Sequence, residues 1–412
     1  MRIGMVTACY KPVVNGVTRM VSLYKERLTA LGHDVTVFTL GEPDPAGDEA
    51  GVVRSPGIPL GETGYYLGFR YRQEAQARLR QMDILHCHHL MMSVELAYRY
   101  GQCPIVYTNH TRYDLYTGAY TPLPQQTADA IMRQIWPELT DLCDVVIAPS
   151  ASLRDVMASF GVRRPIAVIE NGVELALFRQ PPRPLRREDL GLPDGPVLIF
   201  VGRLAEEKNI STLLRQFAIA RESSPAASLL IIGDGPQRAH LQEEARALGL
   251  VEAVHFAGTI PYAAIPNYLA AADLFVTASV SEVHPLTVIE AMAAGLPVVA
   301  VASPGIAETV VSGVSGLLTQ YAEGGLAVGM STLMLDAEKR RQMGRSAQEA
   351  SRRFDIDRTV RRTLDLYDDV RRQYHDSPRQ RNRRNWQTQI EQLGQLLHPA
   401  PPRHHGERHD GG

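Results

Sequence analysis

Short β-branched runs separated by longer helical patterns recur along most of the chain, and this alternation constrains the fold more than any other feature. RIGMVT (2–7), DVTVFTL (34–40), ILHCHH (84–89), PIVYTNH (104–110), DVVIAPS (144–150) and IAVIENG (166–172) read as strands. Between several of them lie amphipathic stretches such as 17–31, where Met20, Leu23, Tyr24, Leu28 and Leu31 recur at helical spacing. Continuously apolar strands must be covered on both faces, and helical crossovers provide that cover, so the pattern predicts parallel α/β sheets. Proline and charge break the pattern in FRQPPRPLRREDLGLPDGP (178–196), the composition of a linker. The plan then restarts with VLIFVG (197–202), a helix over 209–221, SLLIIGDG (228–235), a helix over 236–248, AVHFAG (253–258), LFVTAS (274–279), a helix over 287–294 and PVVAV (297–301). Two Rossmann-like βαβ halves are therefore expected, facing each other across a cleft at the carboxyl ends of both sheets.

The length of 412 residues also calls for two domains, set here at 1–180 and 181–370. A formal net charge of −2 argues against a strongly basic nucleic-acid binder, so no nucleic-acid partner is expected. The four cysteines, Cys9, Cys87, Cys103 and Cys143, form no close pair, which fits reduced thiols in the cytoplasm. Residues 1–10 read as a first strand and not as a signal peptide, and no stretch approaches the apolar run of about 18 residues that spans a bilayer. Membrane contact, if any, is expected to be peripheral, at the inner face of the plasma membrane. Residues 371–397 are rich in Arg and Gln, with Trp386, Ile390, Leu393 and Leu397 at helical spacing. They read as a basic amphipathic helix that binds membrane or packs back across the first domain, followed by a disordered tail over 398–412. Nothing in the sequence fixes an oligomeric state.

Three loops could hold a phosphate. In KPVVNGVTRM, Gly16 stands at a strand-to-helix turn where backbone amides and the helix N-terminus can meet an anion, though the loop has neither GxGxxG nor P-loop spacing. In VGRLAEEKNI, Arg203 and Lys208 follow a strand directly and suit a diphosphate, or else offset Glu206 and Glu207 at the surface. In IIGDGPQRAH, Gly233 and Gly235 flank Asp234, as in a ligand-facing loop or an ordinary capped turn. Further on, SEVHPLTVIEAMAAGLPVVA (281–300) carries Glu282 in a loop and Glu290 within an apolar helix that stops at Gly295.

Taken in order, NGVTR, VGRLAEEKNI, IIGDGP, FAG and SEVHPLTVIEAMAAGLPVVA resemble the family 4 glycosyltransferases, retaining enzymes of the GT-B fold that use nucleotide sugars. The resemblance covers roughly residues 1–370, and the E-x7-E signature with its EAMAAGLPVVA continuation is its most specific part. It implies that Glu290 holds the ribose of the donor, that Glu282 accepts from hydroxyls of the donor sugar, and that Arg203 and Lys208 neutralise the diphosphate leaving group, with Gly16 approaching the same phosphates from the opposite domain. It implies a catalytic-centre role for His110, at the end of a strand. The substrate implied is a UDP-sugar, with no metal and no other cofactor expected. Where the family has an aromatic-Gly pair, this chain has His284-Pro285. Proline has no amide N–H to give, so Leu286 and Thr287 are left as backbone donors, and His284 is expected to add a side-chain donor that tunes donor choice.

His86, His88 and His89 follow one another at spacings that suit loop lining better than a metal site. The DxD in FDIDR (354–358) lies far from the phosphate loops and is expected to cap a helix. Retention often proceeds through a covalent intermediate on a carboxylate. Glu282 and Glu290 are better explained as hydroxyl acceptors, so transfer on one face is expected, with the leaving phosphate taking the acceptor's proton. The first half resembles the diacylglycerol glucosyltransferase branch in PVVNGVTR and YTNHTRYDLYTGAY. Segments 61–80 and 111–120, which mix tyrosines and arginines, are expected to meet a lipid acceptor at an anionic membrane surface. The alternatives are transfer to a soluble sugar or phosphatidylinositol-type acceptor, a nucleotide-sugar epimerase of the same architecture, and a non-catalytic sugar-nucleotide binding module.

Overall fold

The computed structural model describes residues 1–13, 15–60, 64–68, 70–115, 124–322 and 324–376. The amphipathic segments expected at 61–80 and 111–120 lie partly outside these residues, and the expected 377–397 part of the basic helix and the 398–412 tail lie wholly outside them.

The first half forms β1 (Arg2–Val6), β2 (Asp34–Leu40), β3 (Val52–Ser55), the short hairpin pair β4 (Ile58–Pro59) and β5 (Tyr66–Leu67), β6 (Ile84–Cys87), β7 (Ile105–Thr108), β8 (Val145–Ala148) and β9 (Ile166–Val168). Apart from the antiparallel β4–β5 pair, these strands make a parallel sheet in the order β3-β2-β1-β6-β7-β8-β9. The second half forms β10 (Val197–Val201), β11 (Ser228–Ile232), β12 (Val254–Gly258), β13 (Leu274–Thr277), β14 (Val298–Val301) and β15 (Gly316–Thr319), ordered β12-β11-β10-β13-β14-β15 and also parallel. Strand order reverses between β1 and β6 in one sheet and between β10 and β13 in the other. Loops at such switch points open outward and leave room for a ligand.

The helices that matter for the site are α1 (Gly16–Ala30), α2 (Ala151–Ser159), α3 (Leu175–Arg179), α4 (Ile210–Arg221), α5 (Arg238–Ala247), α6 (Leu286–Ala293), α7 (Pro304–Ala307), α8 (Ala337–Ala350) and α9 (Ile356–Asp376). Asn15 starts α1 by a reciprocal cap: its side chain accepts from the Thr18 amide at 2.9 Å, and its own amide donates to Thr18 Oγ1 at 3.0 Å.

The domain boundaries expected at 180 and 370 do not coincide with the packing. Val173, Leu175 and Phe178 are buried with Ile289, Met292 and Phe354 in the second domain's core, so the crossing comes earlier than the proline-rich linker. The chain crosses back at residue 355. From there α9 buries Ile356, Val360, Tyr367 and Val370 among Ile3, Met5, Val37 and Ile84 of the first domain. A helix does cross back onto the first domain, but it is Ile356–Asp376, ahead of the segment expected at 371–397, of which only 371–376 is described. The two crossing segments run side by side, with the Val173 amide donating to the Phe354 carbonyl at 2.8 Å and the Ile356 amide to the Val173 carbonyl at 3.1 Å. FDIDR supplies part of this hinge, and Asp355 Oδ1 accepts from the Asp357 amide at 2.9 Å, capping α9 as expected of that acid.

Candidate active site

The sequence-predicted residues come to the cleft on loops that leave the carboxyl ends of switch-point strands. After β10 the chain passes Gly202 and Arg203 into a 3-10 turn, Glu206–Lys208, and Asn209 adopts a left-handed conformation (φ 50°) before α4. Lys208 Nζ donates to Glu282 Oε1 at 2.6 Å, and both side chains are four-fifths covered. The ion pair ties the β10 loop to the loop after β13. Arg203 extends further out and donates to Glu207 Oε1 at 2.6 Å. An exposed i,i+4 pair of this kind contributes at most about 1 kcal/mol, so Arg203 can exchange it for a phosphate at little cost.

Glu290 lies on the second turn of α6 and is almost wholly buried. The Tyr262 hydroxyl donates to its Oε1 at 2.9 Å. Burial pushes the carboxyl up to about 7, against the opposing pull of the Tyr262 hydroxyl and of Arg19. Arg19 comes from α1 of the other domain, and its guanidinium carbon sits 3.7 Å from the centroid of the Tyr262 ring. The same guanidinium lies 3.9 Å from Glu174. One contact chain, Arg19 to Tyr262 to Glu290, therefore spans the cleft.

Glycines distinguish the loops. A Cβ on Gly16 would meet only Leu286 Cδ1 at 3.8 Å, an ordinary contact, so protein packing does not demand glycine there. The space beside it faces the N-terminus of α6. Gly233 and Gly235 differ: a Cβ on the first would stand 1.9 Å from the Gly202 carbonyl oxygen, and on the second 2.5 Å from that of Leu204. Both also have positive φ, 135° and 159°. Their role is to let the IIGDGP turn press onto the VGRL loop, while Asp234 accepts from Arg238 at 2.7 Å across the start of α5. Of the two readings left open for that turn, packing and capping account for these residues.

Leu286 and Thr287 open α6 as expected, and Leu286 also packs against the first domain's core. His284 takes a different position from a side chain reaching into the cleft. Its ring is buried edge-on to Phe354, 5.0 Å between centroids, and its carbonyl accepts from Asn171 Nδ2 at 3.3 Å. Burial, reinforced by Arg353, pushes the imidazole down to about 3, so it is neutral. His110 follows β7 and is half-buried, its Nε2 lying 3.1 Å from His88 Nδ1. Among the described residues no group of three or more His, Cys, Asp or Glu is arranged to hold a metal ion. The four cysteines are buried and in no disulfide, and among the described residues no helix is long and apolar enough to cross a membrane.

Tyr262, Arg19, Asn171 and Glu308 were not picked out from the sequence. The Glu308 carboxylate, just past α7, accepts from the Ala151 and Ser152 amides at 2.7 Å each, so the second domain caps α2 of the first. Arg19 does lie inside the NGVTR motif, but no spacing in the chain pairs it with a tyrosine far downstream.

Comparison with known proteins accords with this arrangement. The family model for "Glycosyltransferase Family 4" matches residues 14–177, and that for "Glycosyl transferases group 1" matches residues 183–350. The alpha-monoglucosyldiacylglycerol synthase of Streptococcus pneumoniae (strain ATCC BAA-255 / R6) is 31% identical over 319 residues, 74% of this chain and 72% of that protein. D-inositol 3-phosphate glycosyltransferase 2 of Catenulispora acidiphila is 29% identical over 373 residues, 83% of this chain and 87% of that protein. Among solved structures, Anabaena Alr3699/HepE in complex with UDP and glucose superposes with a TM-score of 0.74 at 22% identity, covering 90% of this chain and all of that one, which shows a common GT-B fold. The chain belongs to the family 4 glycosyltransferases and, within them, resembles the diacylglycerol glucosyltransferase branch.

Proposed function

We propose that this glycosyltransferase moves a hexose, glucose from UDP-glucose, onto a lipid acceptor of the diacylglycerol type at an anionic membrane surface, with retention at the anomeric carbon. The observation that carries the reading is the convergence, between two switch points, of Lys208 paired with Glu282, the buried Glu290, and the unobstructed Gly16. This set has a cation for a diphosphate and carboxylates for hydroxyls. The likeness to a synthase named for glucosyl-diacylglycerol supports the acceptor class.

In this reading the donor's phosphates lie between Gly16, Arg203 and Lys208, and its ribose hydroxyls replace the Tyr262 hydroxyl at Glu290. Glu282 turns from Lys208 to the sugar as Lys208 turns to phosphate. In this reading hydroxyls of the donor take up both carboxylates, Glu282 at the sugar and Glu290 at the ribose, and neither is left as a nucleophile. Transfer is then a same-face displacement through an oxocarbenium-like state, with the leaving phosphate accepting the proton of the incoming hydroxyl. Arg203, whose pair with Glu207 lies at the surface, moves onto that phosphate as its charge grows. Arg203→Ala is expected to lower kcat roughly 100-fold while leaving the fold intact. Steady-state kinetics showing near-native turnover would remove Arg203 from the leaving-group role.

A second reading, transfer to a soluble or inositol-type acceptor, is favoured by the 29% identity to the inositol phosphate glycosyltransferase. One experiment separates them: purified protein with a panel of nucleotide sugars, presented with diacylglycerol in anionic vesicles, phosphatidylinositol vesicles, or inositol phosphate. The products are identified by mass spectrometry and NMR of the anomeric proton. Glucosyl-diacylglycerol in the α configuration supports the first reading. A water-soluble glycoside replaces it with the second. Free or epimerised sugar made without any acceptor would overturn both in favour of an epimerase.

A further inference from the structure

Histidines crowd the ends of β6 and β7, and of these only His110 is given a role at the reaction centre by the family resemblance. His86 is engaged at both ring nitrogens, Nδ1 lying 2.6 Å from the Tyr367 hydroxyl and Nε2 2.6 Å from Thr108 Oγ1. His88 packs on His86 with ring centroids 4.2 Å apart and has Tyr24 at 6.0 Å. On its other contact, His88 Nδ1 is 3.1 Å from His110 Nε2, with the two rings 16° from parallel. His88 Nε2 is buried and meets no hydrogen-bond partner among the described residues.

Burial drives the pKa of His88 well down and that of His110 to about 3, so each ring is neutral and carries one proton. The 3.1 Å contact needs one donor and one acceptor. If His88 held its proton on Nε2, a buried N–H would be left without an acceptor, which folded proteins rarely tolerate. If it holds the proton on Nδ1, the unpaired atom is only a lone pair. His89 shows the contrast. Its Nδ1 accepts from the Ala8 amide at 3.1 Å, which forces the proton onto Nε2 although that atom too meets no hydrogen-bond partner among the described residues. His88 Nδ1 faces instead a ring nitrogen that can give or take the proton, so nothing of that kind forces the His88 proton onto Nε2.

With Nδ1–H on His88, His110 must accept at Nε2 and keep its own proton on Nδ1. We propose that His88 is a positioning residue that fixes His110 as the Nδ1–H tautomer, so that His110 presents a hydrogen-bond donor, and not a base, to an oxygen of the sugar being transferred. The last clause rests on the proposed function; the tautomer does not. The framework around His88 is rigid because Thr108 and, through α9, Tyr367 hold His86 beneath it. A donor at this point can hold the sugar by a hydroxyl oxygen without taking the acceptor's proton, which leaves that proton to the departing phosphate.

The test is a long-range 1H–15N ring correlation spectrum of the full chain labelled with 15N-histidine, with His110→Asn used only to assign the His110 signals. The expected result is a protonated Nδ1 and an unprotonated Nε2 on His110, with a protonated Nδ1 on His88. A protonated Nε2 on His110 overturns the proposal, and this readout needs no turnover. Kinetics on the identified substrates give the second arm. His88→Phe, which keeps the buried aromatic volume, is expected to lower kcat roughly 10- to 100-fold with little change in donor KM. His88→Asn, whose amide N–H can stand where Nδ1–H stood, is expected to recover most of that loss. Equal loss in both variants would assign His88 a packing role alone. Failure of the wild-type chain to transfer any sugar would sink the proposed function, while the spectrum would still decide the tautomer.

Discussion

Glu290 combines near-complete burial with one neutral hydroxyl partner, and that combination has a consequence with a definite sign. The folded protein holds the Glu290 proton up to about 7, against an ordinary value of 4.5. Its contribution to stability is therefore full below the ordinary carboxylate value and is lost as pH rises through about 7. Glu290→Gln removes the burden of burying a charge. The melting temperature of this variant is expected to exceed that of the parent at pH 8, by roughly 2–4 °C for each kcal/mol relieved, and to approach it below about pH 4. Calorimetry at the two pH values checks this, and a variant no more stable at pH 8 would show that the carboxylate is compensated. Donor affinity should move the other way. If ribose hydroxyls bind the ionised form, nucleotide binding measured by titration calorimetry should weaken below pH 7, by at most about tenfold per pH unit. At this scale the placing of Glu282, Glu290, Arg203, Lys208 and Gly16 about one cleft was legible, because each belongs to a motif that can be read in order along the chain, while what each of them binds stays with the proposal above. The direction of a ring was not. His284 occupies the foreseen position in the chain, yet its imidazole packs on Phe354, a contact created only when the second crossing segment closes over the first.

Helix boundaries were legible to within a residue or two where an apolar run ends in glycine. The helix expected at 287–294 is Leu286–Ala293, stopped by Gly295 with φ 82°. The destination of an amphipathic face was not legible, since periodicity reports that a face is buried but not against what. The hinge shows the difference. Two crossing segments far apart in sequence hydrogen-bond side by side, and Gly172 lies where they meet. A Cβ there would stand 2.6 Å from Ile356 Cα and 2.9 Å from Thr359 Oγ1. Backbone atoms cannot yield as a flexible side chain would, so the segments must separate. Gly172→Ala is expected to destabilise the protein by about 1–3 kcal/mol, seen as a lower urea midpoint. Because Asn171 next to it holds the His284 carbonyl just before α6, donor affinity should fall along with stability. A variant of native stability would show that the crossing segments can part freely.

At the scale of the whole molecule, the two domains interleave: the chain completes the first sheet by Val168, builds the second, and only then returns with α9 to cover the first. β1 and β6 lie at the centre of the first sheet, and α9 covers one face of them with Ile356, Val360, Tyr367 and Val370. Tyr367 holds His86 at the end of β6, and Thr363 meets the Tyr24 hydroxyl at 3.0 Å. Each large apolar side chain of this kind contributes roughly 1.5–3 kcal/mol by burial. Losing several of them together is comparable with the whole stability of a domain, roughly 5–15 kcal/mol. A chain ending at residue 355 is therefore expected to keep a folded second domain and lose the first. Hydrogen exchange should show amide protection retained in β10 and β11 but collapsed in β1, β6 and β7. The same chain should lose the Arg19 contact to Tyr262, so that nucleotide binding persists only to the extent that the second domain supports it alone. Native protection in β1 of the shortened chain would mean that α9 covers the first domain without stabilising it. The histidine cluster at the ends of β6 and β7 would then have to hold its geometry without Tyr367.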